Sequence, residues 1–258
     1  LTTRLRWDDL VLEPRTEAAL EQVLRWARLG DRLDHGAGPG RLVGRGFRAL
    51  FHGPPGTGKT LAAALLGQRA EREVYRADLS QIASKWIGET EKNLARLFDA
   101  AERFGWILFF DEADALFSQR TEARSSNDRY ANQEVAYILQ RMEAFEGTML
   151  LATNLRGNLD AAFTRRFQSV VAFGDPDAAA RLRLWQNAFR EGDWLARDVD
   201  LQRLAARYEL TGAAIVNALR DAMLGALAED RHSLTQDDLE AAARREVLKS
   251  DRVTERLA

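Results

Sequence analysis

Residues 53–60 read GPPGTGKT, and no other stretch limits the possible folds as sharply. It fits G-x-x-x-x-G-K-[ST], with Gly53, Gly58, Lys59 and Thr60 at the fixed positions. A triphosphate carries dense negative charge, so a protein that holds one wraps it in backbone N–H groups and keeps side chains out of the way. Gly53, Gly56 and Gly58 permit that approach and the unusual backbone angles it needs. Lys59 is placed to reach the β- and γ-phosphates and the Thr60 hydroxyl to ligate Mg²⁺. Pro54, Pro55 and Thr57, within the loop, and Leu61, just after it, join the expected nucleotide-contacting set. Such a loop follows a strand and opens a helix, whose N-terminal dipole favours the anion. Both flanks agree: FRALF (47–51) is a short apolar run and LAAALL (61–66) is strongly helix-forming. A chance Gly/Pro turn has no reason to carry both.

The rest of the first 175 residues alternates in the same way. Leu20, Val23, Leu24 and Ala27 trace an amphipathic helix, and a glycine-rich loop (35–46) follows. Strands are expected at 47–51, 74–79, 106–110, 149–152 and 170–173, with helices around Leu94–Ala101 and Val135–Met142 between them. WILFF (106–110) shows no polar alternation, as expected of a strand buried on both faces of a parallel sheet. A βαβα rhythm predicts an α/β fold: a parallel five-stranded sheet with helices on both faces. After GDPD (174–177) only helical periods appear. The expected organisation is therefore a nucleotide-binding α/β domain at 1–175, including an N-terminal helical and linker segment at 1–46, followed by a small all-helical lid domain at 176–258.

A phosphate loop alone serves many functions; the acids after WILFF narrow them. Asp111 stands at the tip of a buried strand, where it can hold Mg²⁺ directly or through water. Glu112 can orient and deprotonate an attacking water. TMLLATN (148–154) puts the Asn154 amide at the tip of the next strand, to position that water, although an asparagine there also suits a simple turn. LDAAFTRRF (159–167) carries the adjacent pair Arg165 and Arg166. An arginine from a neighbouring subunit can neutralise charge in phosphoryl transfer, while a solvated basic pair is the plainer explanation.

Bulk properties exclude several classes. Lysine and arginine total 37 against 39 acids, so no overall basic field recruits nucleic acid or an anionic membrane. There is no cysteine, hence no disulfide or thiolate metal site, which suits a reducing cytoplasm. No apolar run approaches the ~18 residues of a membrane span. The chain opens on Leu1 rather than methionine, as one trimmed from a longer protein would. His35, His52 and His232 are scattered and form no protease motif.

Taken in order, GPPGTGKT, SKWIGETEKNLARLFDAA (84–101), ILFFDEAD, LLATN, TRRF and ELTGAAIVNAL (209–219) resemble the AAA+ ATPases, near their classical branch. The resemblance covers nearly the whole chain. It implies a P-loop NTPase core with a helical lid, ATP or ADP with Mg²⁺, and a homo-oligomer, a hexameric ring, with nucleotide between subunits. It puts Asn154 at the sensor-1 position and Arg165 and Arg166 at the trans arginine fingers. The family usually separates its two arginines, and here they touch. By the same resemblance, Gly212 and Ala213 pack near the adenine and Asp9 and Val11 flank it. Lys85, Trp86, Ile87 and Gly88 match the loop with which protein-remodelling rings grip a polypeptide in the central pore. The segment 127–145 with LDAAFTRRFQ is similar to bacterial AAA+ ATPases encoded with contractile injection systems, whose client would be a component of that particle. The expected activity is ATP-driven remodelling of a protein client. A nucleic-acid ATPase of the initiator or clamp-loader kind and a nucleotide-gated assembly factor with slow turnover are the alternatives; near-neutral charge argues against the first.

Overall fold

The computed structural model describes residues 1–33, 35–78, 89–114, 136–155 and 161–255. The chain forms two compact units. One comprises residues 1–5, 14–53 and 59–173; the other comprises 6–13, 54–58 and 174–258. The division is thus not a single cut, because the tip of the phosphate loop and an early segment belong to the helical unit.

The first unit is built on a five-stranded sheet. Its strands are β1 (Phe47–His52), β2 (Val74–Asp78), β3 (Ile107–Asp111), β4 (Thr148–Thr153) and β5 (Ser169–Ala172). They lie in the order β2-β3-β4-β1-β5, and every pairing is parallel. All of β4 is buried, as is β3 up to Asp111, so both faces of the sheet centre are covered. On one face Leu50, Leu108, Phe110, Met149 and Leu151 pack with Phe98, Ile138 and Met142. On the other, Ala49, Phe51, Phe109 and Leu150 are fully buried. Truncating a ring such as Phe110 to alanine there costs about 3–5 kcal/mol.

The third strand runs one residue later than the apolar run implies. Trp106 donates its main-chain N–H to Ala101 O, closing the preceding helix (Glu89–Phe104). Its ring stacks on Tyr75 and Phe104, with centroids at 5.5 and 5.3 Å, so it caps the sheet edge instead of joining the ladder. Asp111 takes the vacated strand position. The helix Pro14–Leu29 starts with proline at its first position, where no N–H is needed, and buries Leu20, Val23, Leu24 and Ala27. Its Thr16 hydroxyl donates to Ala172 O at 2.7 Å, fixing the helix to β5.

The helical unit contains Ala178–Ala188, Leu201–Arg207, Gly212–Ala228 and Gln236–Glu255. Its core gathers Trp185, Leu204, Ile215, Ala218, Leu239 and Ala242, all essentially without solvent exposure. The small residues let the last two helices approach closely. Side-chain oxygens of Asp177, Asp200 and Thr211 accept N–H groups of Ala180, Arg203 and Ala214, so three helix starts are capped from within the sequence. No helix among the described residues is long and apolar enough to cross a membrane.

Candidate functional site

In an open parallel sheet, ligands bind beyond the carboxyl ends of the strands. Here β3, β4 and β1 are neighbours, and their carboxyl ends carry Asp111–Glu112, Thr153–Asn154 and the start of the phosphate loop.

Gly53 leaves β1 with φ +140°, and a Cβ there would lie 2.0 Å from Phe173 O. Only glycine fits. Lys59 and Thr60 open the helix Lys59–Ala70, whose N-terminal end favours an anion. The Lys59 ammonium is buried and donates to Gly53 O at 2.7 Å. Burial lowers its pKa, while the carboxylates of Asp111 and Asp114 act in the opposite sense. Beside it, His52 is also pushed down, first by burial and then by Lys59.

The Thr60 hydroxyl donates to Asp111 Oδ2 at 3.3 Å. One hydroxyl and one carboxylate, both hard oxygens, are what Mg²⁺ takes from a protein when phosphates and waters complete its shell. No group of three or more histidine, cysteine, aspartate or glutamate side chains placed to hold a metal ion occurs among the described residues. The donor set fits Mg²⁺ held jointly with a nucleotide.

Glu112 follows with φ +53°, the left-handed region that a glutamate rarely adopts. That conformation costs of order 1–3 kcal/mol and persists only where neighbours enforce it. They do: Glu112 N donates to Asp111 Oδ1 at 3.1 Å, and Ala113 N donates to Ala152 O at 2.9 Å. The reversed turn carries the Glu112 side chain into the open.

Asp114 was not singled out in the sequence beyond its place in DEAD. Its Oδ1 accepts the Asn154 main-chain N–H at 3.0 Å and also the Thr153 hydroxyl. It therefore pins the tip of β4 to the turn after β3. The signal that could have found it is its position three residues after Asp111, on the same turn. Arg76, likewise unflagged, forms an ion pair with Asp111 Oδ2 at 2.9 Å.

In the helical unit the loop tip is held by its own hydrogen bonds. Thr57 Oγ1 donates to Pro54 O at 2.8 Å, and Ala213 N donates to Gly56 O at 3.1 Å. Gly212 and Ala213 thus form the first turn of a helix alongside Gly56. A Cβ on Gly56, at φ +78°, would meet Thr211 Oγ1 at 2.8 Å. Leu10, which sequence reasoning passed over in favour of its neighbours, lies 3.1 Å from where a Gly58 Cβ would sit. Val11 is buried. Asp9 is occupied locally: its Oδ2 accepts Arg6 N at 2.7 Å, capping the short turn Trp7–Asp9.

The two adjacent arginines differ. Arg166 is ion-paired with Glu143, and its carbonyl accepts Arg48 Nε at 3.0 Å. Arg165 is exposed. Lys85, Trp86, Ile87 and Gly88 lie outside the described residues.

Residues 49–175 match the family model described as "ATPase family associated with various cellular activities (AAA)", and residues 198–241 match that of the "AAA+ lid domain". Among individual proteins, the chain is 34% identical to a proteasome-activating nucleotidase of Methanopyrus kandleri, over 73% of this chain and 45% of that protein. It is 32% identical to the 26S proteasome regulatory subunit 8 homolog of Schizosaccharomyces pombe, over 78% of this chain and 52% of that one. It is 30% identical to an AAA domain-containing ATPase family protein of Arabidopsis thaliana, over 91% of this chain and 36% of that protein. The chain spans about half the length, or less, of these relatives.

Proposed function

Since the chain belongs to the AAA+ ATPase family, we propose that it hydrolyses ATP to remodel a polypeptide client, working as a ring of six like subunits. The observation that carries the catalytic part is the convergence of Lys59, Thr60, Asp111, Glu112 and Asn154 at the ends of three neighbouring strands. The names of its relatives, proteasome-activating nucleotidases and proteasome regulatory subunits, support a protein client over a nucleic acid.

In this reading Gly53–Leu61, with Gly212 and Ala213, hold the nucleotide, and Asp9 and Val11 flank its base. Thr60 and Asp111 would hold Mg²⁺, which would supply neutralisation of phosphate charge. Lys59 adds a fixed positive charge. Glu112 takes a proton from the attacking water and Asn154 aligns that water. Arg165, whose side chain is exposed while Arg166 is engaged within its own chain, is the residue offered to a neighbouring subunit's nucleotide. Lys85, Trp86, Ile87 and Gly88 grip the client. A component of a contractile injection system is the finer reading of that client, carried only by the 127–145 segment with LDAAFTRRFQ (159–168); none of the relatives described above bears such a name.

The test is ATP turnover and nucleotide binding measured on three proteins. Wild type turns over ATP; Glu112→Gln binds it without turnover; Lys59→Ala does neither. Undiminished turnover by Glu112→Gln overturns the assignment. Slow wild-type turnover with tight binding favours a nucleotide-gated assembly factor.

A further inference from the structure

Asp111 is crowded by more donors than a metal-holding carboxylate requires. Its Oδ1 accepts Glu112 N, and its Oδ2 receives both the Thr60 hydroxyl at 3.3 Å and the Arg76 guanidinium at 2.9 Å. The Arg76 contact follows from the register. Arg76 pairs with Phe109 and Asp78 with Asp111, so Arg76 lies on the same sheet face as Asp111, two residues back along the neighbouring strand. A long side chain spans that diagonal.

The oxygen that Arg76 occupies is the one facing Thr60, where the donor set fits Mg²⁺. A dication and a guanidinium cannot share one carboxylate oxygen without strong repulsion. The two ends of the pair are unequal. The Asp111 side chain is only 14% exposed and is tied to its turn, whereas that of Arg76 is 48% exposed and stands on β2, an edge strand. Arg76 is free to swing into water; Asp111 is not.

Building on the ATPase reading above, we propose that Arg76 is a resident cation that competes with Mg²⁺ for Asp111 and so sets the Mg²⁺ concentration at which nucleotide is held together with its metal. Without the metal, Arg76 screens a carboxylate that has Glu112 and Asp114 on the same turn. With the metal, it is displaced outward.

The test follows binding of a fluorescent ADP analogue at a series of free Mg²⁺ concentrations, in wild type, Arg76→Gln and Arg76→Lys. With its arginine end half-exposed the pair is worth little, so the half-saturating Mg²⁺ concentration of Arg76→Gln falls by about two- to fivefold. Arg76→Lys, which keeps the charge, stays close to wild type. Position 76 lies on an edge strand with an exposed side chain, so both variants fold; circular dichroism checks this. A Mg²⁺ midpoint that is unchanged or raised in Arg76→Gln, or equally lowered in Arg76→Lys, overturns this inference while leaving the ATPase reading intact. Failure of all three proteins to bind the analogue at any Mg²⁺ concentration overturns both.

Discussion

Asp114 Oδ1 accepts the main-chain N–H of Asn154 at 3.0 Å, joining the turn after β3 to the tip of β4. The same oxygen takes the Thr153 hydroxyl, which in turn accepts Leu155 N at 3.2 Å. The position of the Asn154 amide therefore depends on a carboxylate three residues past Asp111. Asp114→Ala leaves nucleotide binding in place but lets Asn154 drift. The expected loss is about tenfold or more in kcat with little change in KM for ATP. Asp114→Asn, which retains an oxygen acceptor, recovers most of it. Steady-state ATP hydrolysis by the two variants decides the matter.

Gly53 has no room for a methyl group. With φ at +140° and Phe173 O 2.0 Å from a notional Cβ, Gly53→Ala forces β1 and the segment after β5 apart. A loss of at least ~2 kcal/mol in stability is expected, with a lower thermal midpoint even without nucleotide. A differential scanning calorimetry trace matching wild type would contradict this.

The contrast between the arginines predicts two kinds of defect. Arg165→Ala reduces ATP turnover at unchanged thermal stability, and the defect appears only at protein concentrations where subunits associate. Arg166→Ala breaks the Glu143 pair next to the Arg48 contacts with Met142 O and Glu143 O, so it lowers stability as well. A neighbour-supplied arginine is worth as much as 10³-fold or more in rate elsewhere, so the Arg165 effect is expected to be large. Turnover measured against protein concentration, alongside melting curves, separates the two.

The start of the helix Gln236–Glu255 gives a pH prediction. Asp238 Oδ2 accepts Thr235 N at 2.9 Å and the Thr235 hydroxyl at 2.8 Å, and Arg231 contacts both carboxylate oxygens. Chiefly through the Arg231 hydrogen bonds, the Asp238 carboxyl is held well below its usual value of 3.8. A depressed carboxylate stabilises the fold above its unfolded pKa and loses that contribution as pH falls toward its folded pKa. Asp238→Ala is expected to cost about 1 kcal/mol at neutral pH, as lost helix caps do. The gap to wild type narrows below about pH 4. Thermal melts from pH 7 to pH 3 test both halves.

What the sequence made legible follows from how strongly each feature depends on local pattern. β3 could be read because a strand buried on both faces must be apolar throughout, and the loop at 53–60 because its chemistry tolerates few residue types. The one-residue shift of β3 could not be read, since it depends on Trp106 stacking with Tyr75 across the sheet. Nor could the left-handed turn at Glu112, which the long-range hydrogen bond from Ala113 N to Ala152 O helps impose on a residue with no preference for it. Arg76 was invisible for a similar reason, since it acts through a partner brought close only by strand pairing; Asp114 had a local signal in its spacing from Asp111, but its partner at the tip of β4 did not. Between Arg165 and Arg166 the sequence left a tie; the ion pair of Arg166 with Glu143 is what favours Arg165 in the proposed role.

In the proposed ring, each active site is completed by a neighbouring subunit. The most direct test is the particle mass of the Glu112→Gln protein with and without ATP–Mg²⁺, over a range of protein concentrations. A six-subunit mass is expected once ATP is bound and not hydrolysed, and its loss on removing nucleotide. A protein that stays monomeric at every concentration while saturated with ATP would contradict it.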